Sequence, residues 1–243
     1  VKVNGTGGRG AASVDLNTIP TASVRNIEGL RDGASAEYGC DALSGVINLR
    51  LRQDRSGGEV TASYGERITE YDFIPGSVPN NATWTAPTPS RSRHDGNTAT
   101  ISIWKGLAFG ETGYVTVAAE FKDQKNTERA GWDFRQQYPL VAGAFDPREK
   151  DFNRFNAWFG EPKMKQSTVF VNAGETFADG MKIYGWTSYQ KRDALSAGFF
   201  RRPLQDQNIL SIYPNGYLPK IAPLVDDFSA TGGVSWNSGE WDM

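Results

Sequence analysis

The sequence predicts an antiparallel β fold, about six strands of a transmembrane β-barrel preceded by a smaller α+β segment, on three observations. Apolar and polar residues alternate with a period of two along several segments. Short Gly-containing turns join these segments at one end, and long connections join them at the other. Mean hydropathy is negative, and no run approaches the roughly 18 apolar residues of a membrane helix. A helical membrane protein is thereby excluded, but a barrel is not: each of its strands shows lipid only every second residue.

Composition narrows the partners. The 243 residues carry 26 Lys and Arg against 28 Asp and Glu, so there is no basic footprint for nucleic acid. A single cysteine, Cys40, can form no intramolecular disulfide and reads as a small, half-buried residue. The opening VKVNGTGG lacks the basic and apolar regions of a signal peptide, which predicts either a cytosolic protein or a start that has been removed.

In chain order, residues 1–4 read as the end of a strand. GTGGRG at 5–10 matches the G-x-G-x-x-G of dinucleotide sites, but that pattern needs a full helix after it. AASVDLNTIP offers β-branched and turn residues and then Pro20, so the glycines read as a mobile loop. Residues 15–20 predict a short helix with Thr18 as N-cap and Pro20 in its first turn. A strand over 26–30, a turn at Asp32-Gly33, a small-residue segment closed by Tyr38-Gly39 and a strand over 45–51 follow.

Those last words, IEGLRDGASAEYGCDALSGVINL, resemble the end of the plug domain of TonB-dependent outer-membrane receptors. In that family an Ile-Glu strand leads through Arg, a Gly turn and a small-residue run ending in Tyr-Gly to a Gly-Val-Ile-Asn strand. Gly29, Asn26 and Cys40 differ from the usual residues. The family also has Asn-x-Ile-Pro and a short helix just ahead, so the resemblance spans roughly residues 3–52. It implies a division into the C-terminal part of a plug (1–52), a hinge (53–58) and the first strands of a barrel (59–243).

From residue 59 the elements are strands. Val60, Ala62 and Tyr64 share one side of the first. In TATISIWKGLAF, Ala99, Ile101, Ile103, Leu107 and Phe109 share one parity, with Lys105 the exception, and Thr98, Thr100 and Ser102 the other. Residues 110–113 make a hairpin into YVTVAAEFK, where Val115, Val117, Ala119 and Phe121 oppose Thr116, Glu120 and Lys122. Val169, Val171, Ala173 and Phe177 alternate in a fourth strand, with a turn at 178–180 and a fifth strand over 181–191. A sixth carries Phe228, Ala230, Gly232, Val234 and Trp236 before a turn at 237–239. The connections 71–95, 125–165 and 198–227 are each about twenty-five to forty residues, longer than a compact soluble β domain holds without structure. Tyr64, Phe109, Tyr114, Phe177 and Trp236, near strand ends, suit interfacial girdles, or the core of a β-sandwich if the chain is soluble. Six strands are too few to close a barrel, which takes at least about eight, so the sequence reads as an internal piece of a longer receptor.

No catalytic constellation is present. The one histidine, His94, falls in a Ser/Pro/Arg-rich loop, and His94 and Cys40 together are too few for a zinc site. Asp226 and Asp227 read as a solvated turn rather than a glycosidase pair. These readings predict a non-enzyme without cofactor. What remains is binding: the second long loop holds Trp132, Arg135, Tyr138, Arg148, Arg154 and Trp158 among further phenylalanines, and the third holds Phe199, Phe200, Arg201 and Arg202. Aromatics with Arg suit planar or anionic ligands, and equally suit packing on one another to fold the loop.

The resemblance implies the rest as expectations. The protein lies in the bacterial outer membrane and captures a scarce nutrient, a ferric siderophore or similar iron complex first, with haem, cobalamin or saccharides in other branches. A TonB-type inner-membrane complex drives import, and Glu28 and Arg31 are candidates for ion pairs between plug and barrel wall. The alternative is a secreted β-rich adhesion or carbohydrate-binding module.

Overall fold

The computed structural model describes residues 2–4, 12–30, 45–73, 76–85, 90–238 and 241–242. Short strands β1 (Lys2–Asn4) and β2 (Ala12–Val14) pair antiparallel. The glycines 5–10, Arg31 and Cys40 lie outside the described residues. In place of the expected helix there are two single 3-10 turns, Leu16–Thr18 and Thr21–Ser23. Asp15, not Thr18, caps the first: its carboxylate accepts from the Asn17 amide, and Thr18 donates its hydroxyl back to the Asp15 carbonyl. Pro20 explains the break. A residue before proline is driven out of the helical region, and Ile19 is extended at φ −108°, ψ 106°.

Strands β3 (Val24–Leu30) and β4 (Val46–Leu51) form a separate antiparallel pair with a register shift between Val24 and Asn26. The chain then enters the main sheet through β5 (Gly58–Asp72), β6 (Ser90–Phe109), β7 (Gly113–Gln124), β8 (Lys163–Thr176) and β9 (Lys182–Ala197). Consecutive strands pair antiparallel throughout. Beyond β9 lie the two-residue β10 (Lys220–Ile221) and the long β11 (Leu224–Ser235), both paired to it. A small pair, β12 (Asn237–Ser238) and β13 (Trp241–Asp242), follows. Among the described residues β5 and β11 each have one strand neighbour, so the sheet is open rather than a closed barrel.

The six long strands are those expected, but β5 and β6 run further. Residues 67–72 pair with 90–95, which places His94 opposite Ile68 on a strand rather than in a loop. Arg91, Arg93 and Asp95 alternate with Ser92 and His94, so both parities are polar there and the apolar half of the signal is lost.

The sheet is inverted relative to a soluble one. On one face Ile101, Phe109 and Phe228 are 54, 60 and 71% exposed, and Ile103, Leu107, Val169, Ile183 and Tyr189 stand beside them. On the other, Gln190, Thr168 and Thr116 are 0, 1 and 2% exposed, with Gln166, Asn172 and Ser188 also buried. Phe170 and Ala118 are the buried apolar residues of the sheet among those described. Lys105 shares the apolar face, as its parity requires. That face ends in a lateral row of alternating charge, Asp123 beside Lys165 beside Asp193. Tyr64, Phe109, Phe177 and Trp236 are exposed at its margins. Tyr114 is not: it shares parity with Thr116, and its hydroxyl side packs over Gly174 on the polar face.

The N-terminal segment is seated on the polar face. Arg192 donates to the Asp15 carboxylate, and Gln166 and Gln190 donate to the Asn17 carbonyl at 3.1 and 2.6 Å. Thr21 donates to Glu120 at 3.0 Å, and Asn172 to the Arg52 carbonyl at 2.8 Å. The Arg52 guanidinium lies 4.1 Å from the Trp104 ring centre. Gly106 allows the closest approach: its amide donates to the Gly57 carbonyl, and a Cβ there would fall 2.3 Å from the Asp54 carbonyl oxygen. Glu28, expected against the wall, is instead bound within its own strand pair by Asn26, Asn48 and Arg50.

Candidate functional site in the loop cluster

Connections 73–85, 125–162 and 198–219 converge beyond the ends of the strands and build a core of their own. Its centre is a buried ion pair between Arg154 and Glu149, whose side chains are 1 and 0% exposed. One Glu149 oxygen accepts from the Gln137 and Tyr138 amides at 2.7 and 2.8 Å, and the other from Arg154. Arg154 also donates to the carbonyls of Asp133 and Arg135 at 3.0 and 2.7 Å. Burial pulls the Arg154 guanidinium below its ordinary pKa and the Glu149 carboxylate opposes that shift. A buried charge pair of this kind costs least when its other hydrogen-bonding groups are satisfied. The chain bends back on itself to satisfy both Glu149 oxygens and both Arg154 terminal nitrogens, and of the pair only Arg154 Nε is buried without a partner among the described residues.

Aromatic rings pack around that pair. Arg154 lies 4.2 Å from the Trp84 ring centre and 5.2 Å from that of Trp132. Trp84 meets Phe145 edge-on, Trp132 meets Phe134, and Phe73 meets Phe155. Around the rim, Arg135 binds Asp133 through two nitrogens, Arg91 and Arg93 bind Glu128, Arg129 binds Asp95 and Arg67 binds Glu161. Burial raises the pKa of Asp133, but its bonds from Arg135 more than offset that and leave it below the usual carboxylate range.

On one side of this core a cavity of about 580 Å³ opens. Tyr138 forms its floor, 3% exposed, with its hydroxyl donated to Asn215 Oδ1 at 2.9 Å. The Arg148 guanidinium covers that ring at 4.0 Å and is itself bound by Asp146, the residue that caps the 3-10 turn Pro147–Glu149. Hydrogen bonds from Arg148 hold Asp146 below the usual carboxylate range. Phe152 and Phe200 make the wall, their ring centres 6.0 Å apart, and Asp151, Asn153, Asn156 and Asn215 supply polar groups.

Of the eight loop residues singled out in the sequence, Tyr138 and Arg148 line this cavity. Arg154 and Trp132 belong to the loop core and Arg135 to its rim, where each is committed to the contacts above. Arg202 donates to the Gln136 carbonyl, and burial lowers its pKa. Trp158 donates to the Thr127 carbonyl and carries Lys220 over its ring, while Arg201 pairs with Tyr217 through the backbone. Sequence reasoning passed over Asp151, Asn153, Asn156, Asn215, Glu149 and Trp84. The run D-F-N-R-F-N at 151–156 carries a signal, two Phe-Asn steps three residues apart, for which there was no spatial partner until 200 and 215 came close.

Among the described residues there is no cluster of His, Cys, Asp and Glu suited to a metal ion, and no helix is long and apolar enough to cross a membrane. No protein-family model and no solved structure matches the chain.

Proposed function

We propose that this chain forms the plug end and the first barrel strands of an outer-membrane receptor that binds a scarce nutrient at its loops and imports it with energy from a TonB-type complex. The supporting observation is the inversion of polarity across the main sheet. In a soluble sandwich Ile101, Phe109 and Phe228 would be covered and Gln190 and Thr168 would face water; here the reverse holds. The apolar stretch of β6 from 101 to 109, at about 3.4 Å per residue and a tilt of roughly 40°, gives a band about 20 Å tall. That is close to the roughly 25 Å of outer-membrane barrels, and the Asp123, Lys165 and Asp193 row marks its edge.

In this reading lipid covers the exposed face, further strands join the free edges of β5 and β11, and the polar inner face holds the plug. The seated segment fits that role: beside the Asp15–Arg192 ion pair and the Arg52–Trp104 contact it is held by hydrogen bonds between polar groups, which water can replace one at a time when the plug is pulled. The loops above the rim supply the ligand site. A ferric siderophore or similar iron complex is the ligand the resemblance puts first.

The test is to express the complete reading frame, separate inner from outer membranes, and run the protein on a gel with and without boiling. Outer-membrane location with a heat-dependent mobility shift is the expected result. A soluble protein with no shift ends the receptor reading. Loss of uptake on deleting the TonB complex tests the energy source.

A further inference from the structure

We infer, granted the receptor reading, that the loop cavity takes a neutral saccharide rather than an anionic iron complex. Charge is the first reason. An anion site needs a cation not already spoken for, and the cavity's one cation among the described residues, Arg148, is bound to Asp146 through two nitrogens while Asp151 adds a carboxylate at the rim. The Asp151 side chain has no hydrogen-bond or ion-pair partner among the described residues. Bringing a polyanion beside it would set like charges together in a partly desolvated space.

Hydrogen-bonding chemistry is the second reason. A sugar hydroxyl is donor and acceptor at once, and neighbouring hydroxyls are matched by planar groups that offer both. The cavity presents three amides and a carboxylate. Asn215 Oδ1 is taken by Tyr138 and Asn153 Oδ1 by the Phe155 amide, which fixes both side chains and leaves each Nδ2 as a donor. Asn156 uses its Nδ2 on Asp133 and leaves Oδ1 as an acceptor.

The third reason is the wall. Phe152 and Phe200 meet at 61°, two apolar surfaces that suit the C–H faces of a pyranose. Phe200 holds its place through Gly216, at φ 75°, where a Cβ would fall 2.8 Å from the ring. The cavity volume, about 580 Å³, lies within the roughly 300–1,000 Å³ usual for small-molecule sites.

The experiment uses the complete receptor purified in detergent, after its heat-dependent shift has been verified, titrated calorimetrically with maltotetraose, cellotetraose, chitotetraose and xylotetraose and, separately, with ferrichrome and ferric enterobactin. At least one oligosaccharide is expected to bind, neither iron complex is, and Phe200→Leu and Asn153→Asp each weaken sugar binding ten-fold or more. Asn153→Asp retains the oxygen that orders the turn, so its effect does not come from misfolding. Binding of an iron complex that these two substitutions abolish, or binding of no oligosaccharide by a receptor with an intact shift, overturns the saccharide assignment and leaves the receptor reading standing. Absence of the shift defeats the receptor reading itself.

Discussion

The main sheet and the loop cluster are built from the same kinds of residue with opposite polarity. In the sheet, aliphatic and aromatic side chains face out and glutamine, threonine and asparagine are buried. In the loops, Trp84, Phe73 and Tyr138 are buried, and the charged residues Arg135 and Arg148 extend to the surface. The loop cluster buries its aromatic residues as a protein in water does, and the sheet exposes its apolar residues on one face, the face that the proposed receptor reading gives to lipid. The sheet's strength is in a continuous backbone ladder, which tolerates change at single side chains. The loops have little ladder and depend on a few mutually paired groups.

The largest expected effect falls on those groups. Glu149→Ala leaves Arg154 buried without its partner, a loss of about 3–5 kcal/mol by the usual cost of breaking a buried pair. Protease cleavage within residues 125–162 of the complete protein is expected to rise by roughly a hundred-fold or more, since each 1.4 kcal/mol is about a factor of ten. Under the receptor reading the heat-dependent mobility of the complete protein should not change; if it is lost, loops and sheet are not separable in the way the comparison requires. Replacing both partners, Glu149→Leu with Arg154→Met, removes the unpaired charge and should recover most of the protection.

The matching test of the sheet is an arginine on the apolar face. Val169 lies between Ala119 and Tyr189, in the same lateral row as Ile103 and Phe228 and two residues from Ser167. Val169→Arg is expected to cost an amount between the about 0–1 kcal/mol of the interface and the about 2–4 of the midplane in phosphatidylcholine vesicles, read from the urea midpoint, and Ser167→Arg, toward the charged row, only about 0–1. Equal and small effects at both positions would mean that this face meets water.

How much of this was legible in the sequence follows the same division. Period-two alternation marked β6, β7, β8 and β11, because a side chain on a strand has only two directions and here the two faces differ in polarity. It failed at 90–95, where both parities are polar, whereas Tyr114 reads as a girdle residue from its place near a strand end alone and its parity with Thr116 puts it on the polar face. The loop cluster was legible in composition but not in role. Arg154 and Arg148 are six residues apart and look alike in sequence, but one is sealed under Trp84 and the other stands at the cavity. No local rule separates them, since Trp84, which covers Arg154, and Phe200 and Asn215, which complete the cavity beside Arg148, come from other connections. Between 15 and 23, tertiary seating and Pro20 overrode the helical reading.

Where the seated segment meets the sheet, both partners are polar, and effects should be smaller. Gly106→Ala drives a methyl against the Asp54 carbonyl, so residues 53–57 must shift; overpacking of this kind costs about 1–3 kcal/mol. Hydrogen exchange of the Gly106 amide, which donates to Gly57, should quicken, while exchange along β8 and β9 stays slow. Unchanged exchange at Gly106 would mean that the segment does not rest on the sheet there.

The smallest effect is a pH dependence at Asp15. Burial raises its pKa, but bonds from Asn17 and Arg192 more than offset this, and the folded value lies below the ordinary carboxylate value. A carboxylate depressed by folding contributes stability that is fully present above its unfolded pKa, about 3.9, and is lost as pH falls through the lower folded value. Seating of residues 15–23, followed by exchange of the Asn17 amide that donates to Asp15, should therefore be flat from about pH 5 to 8 and loosen only below about pH 4. Asp15→Asn should remove that acid step and leave the neutral-pH exchange only modestly faster, because Gln166 and Gln190 still hold the Asn17 carbonyl. An acid step that survives in Asp15→Asn would assign the release to another carboxylate on the polar face, with Glu120, the acceptor of the Thr21 hydroxyl, the next to substitute.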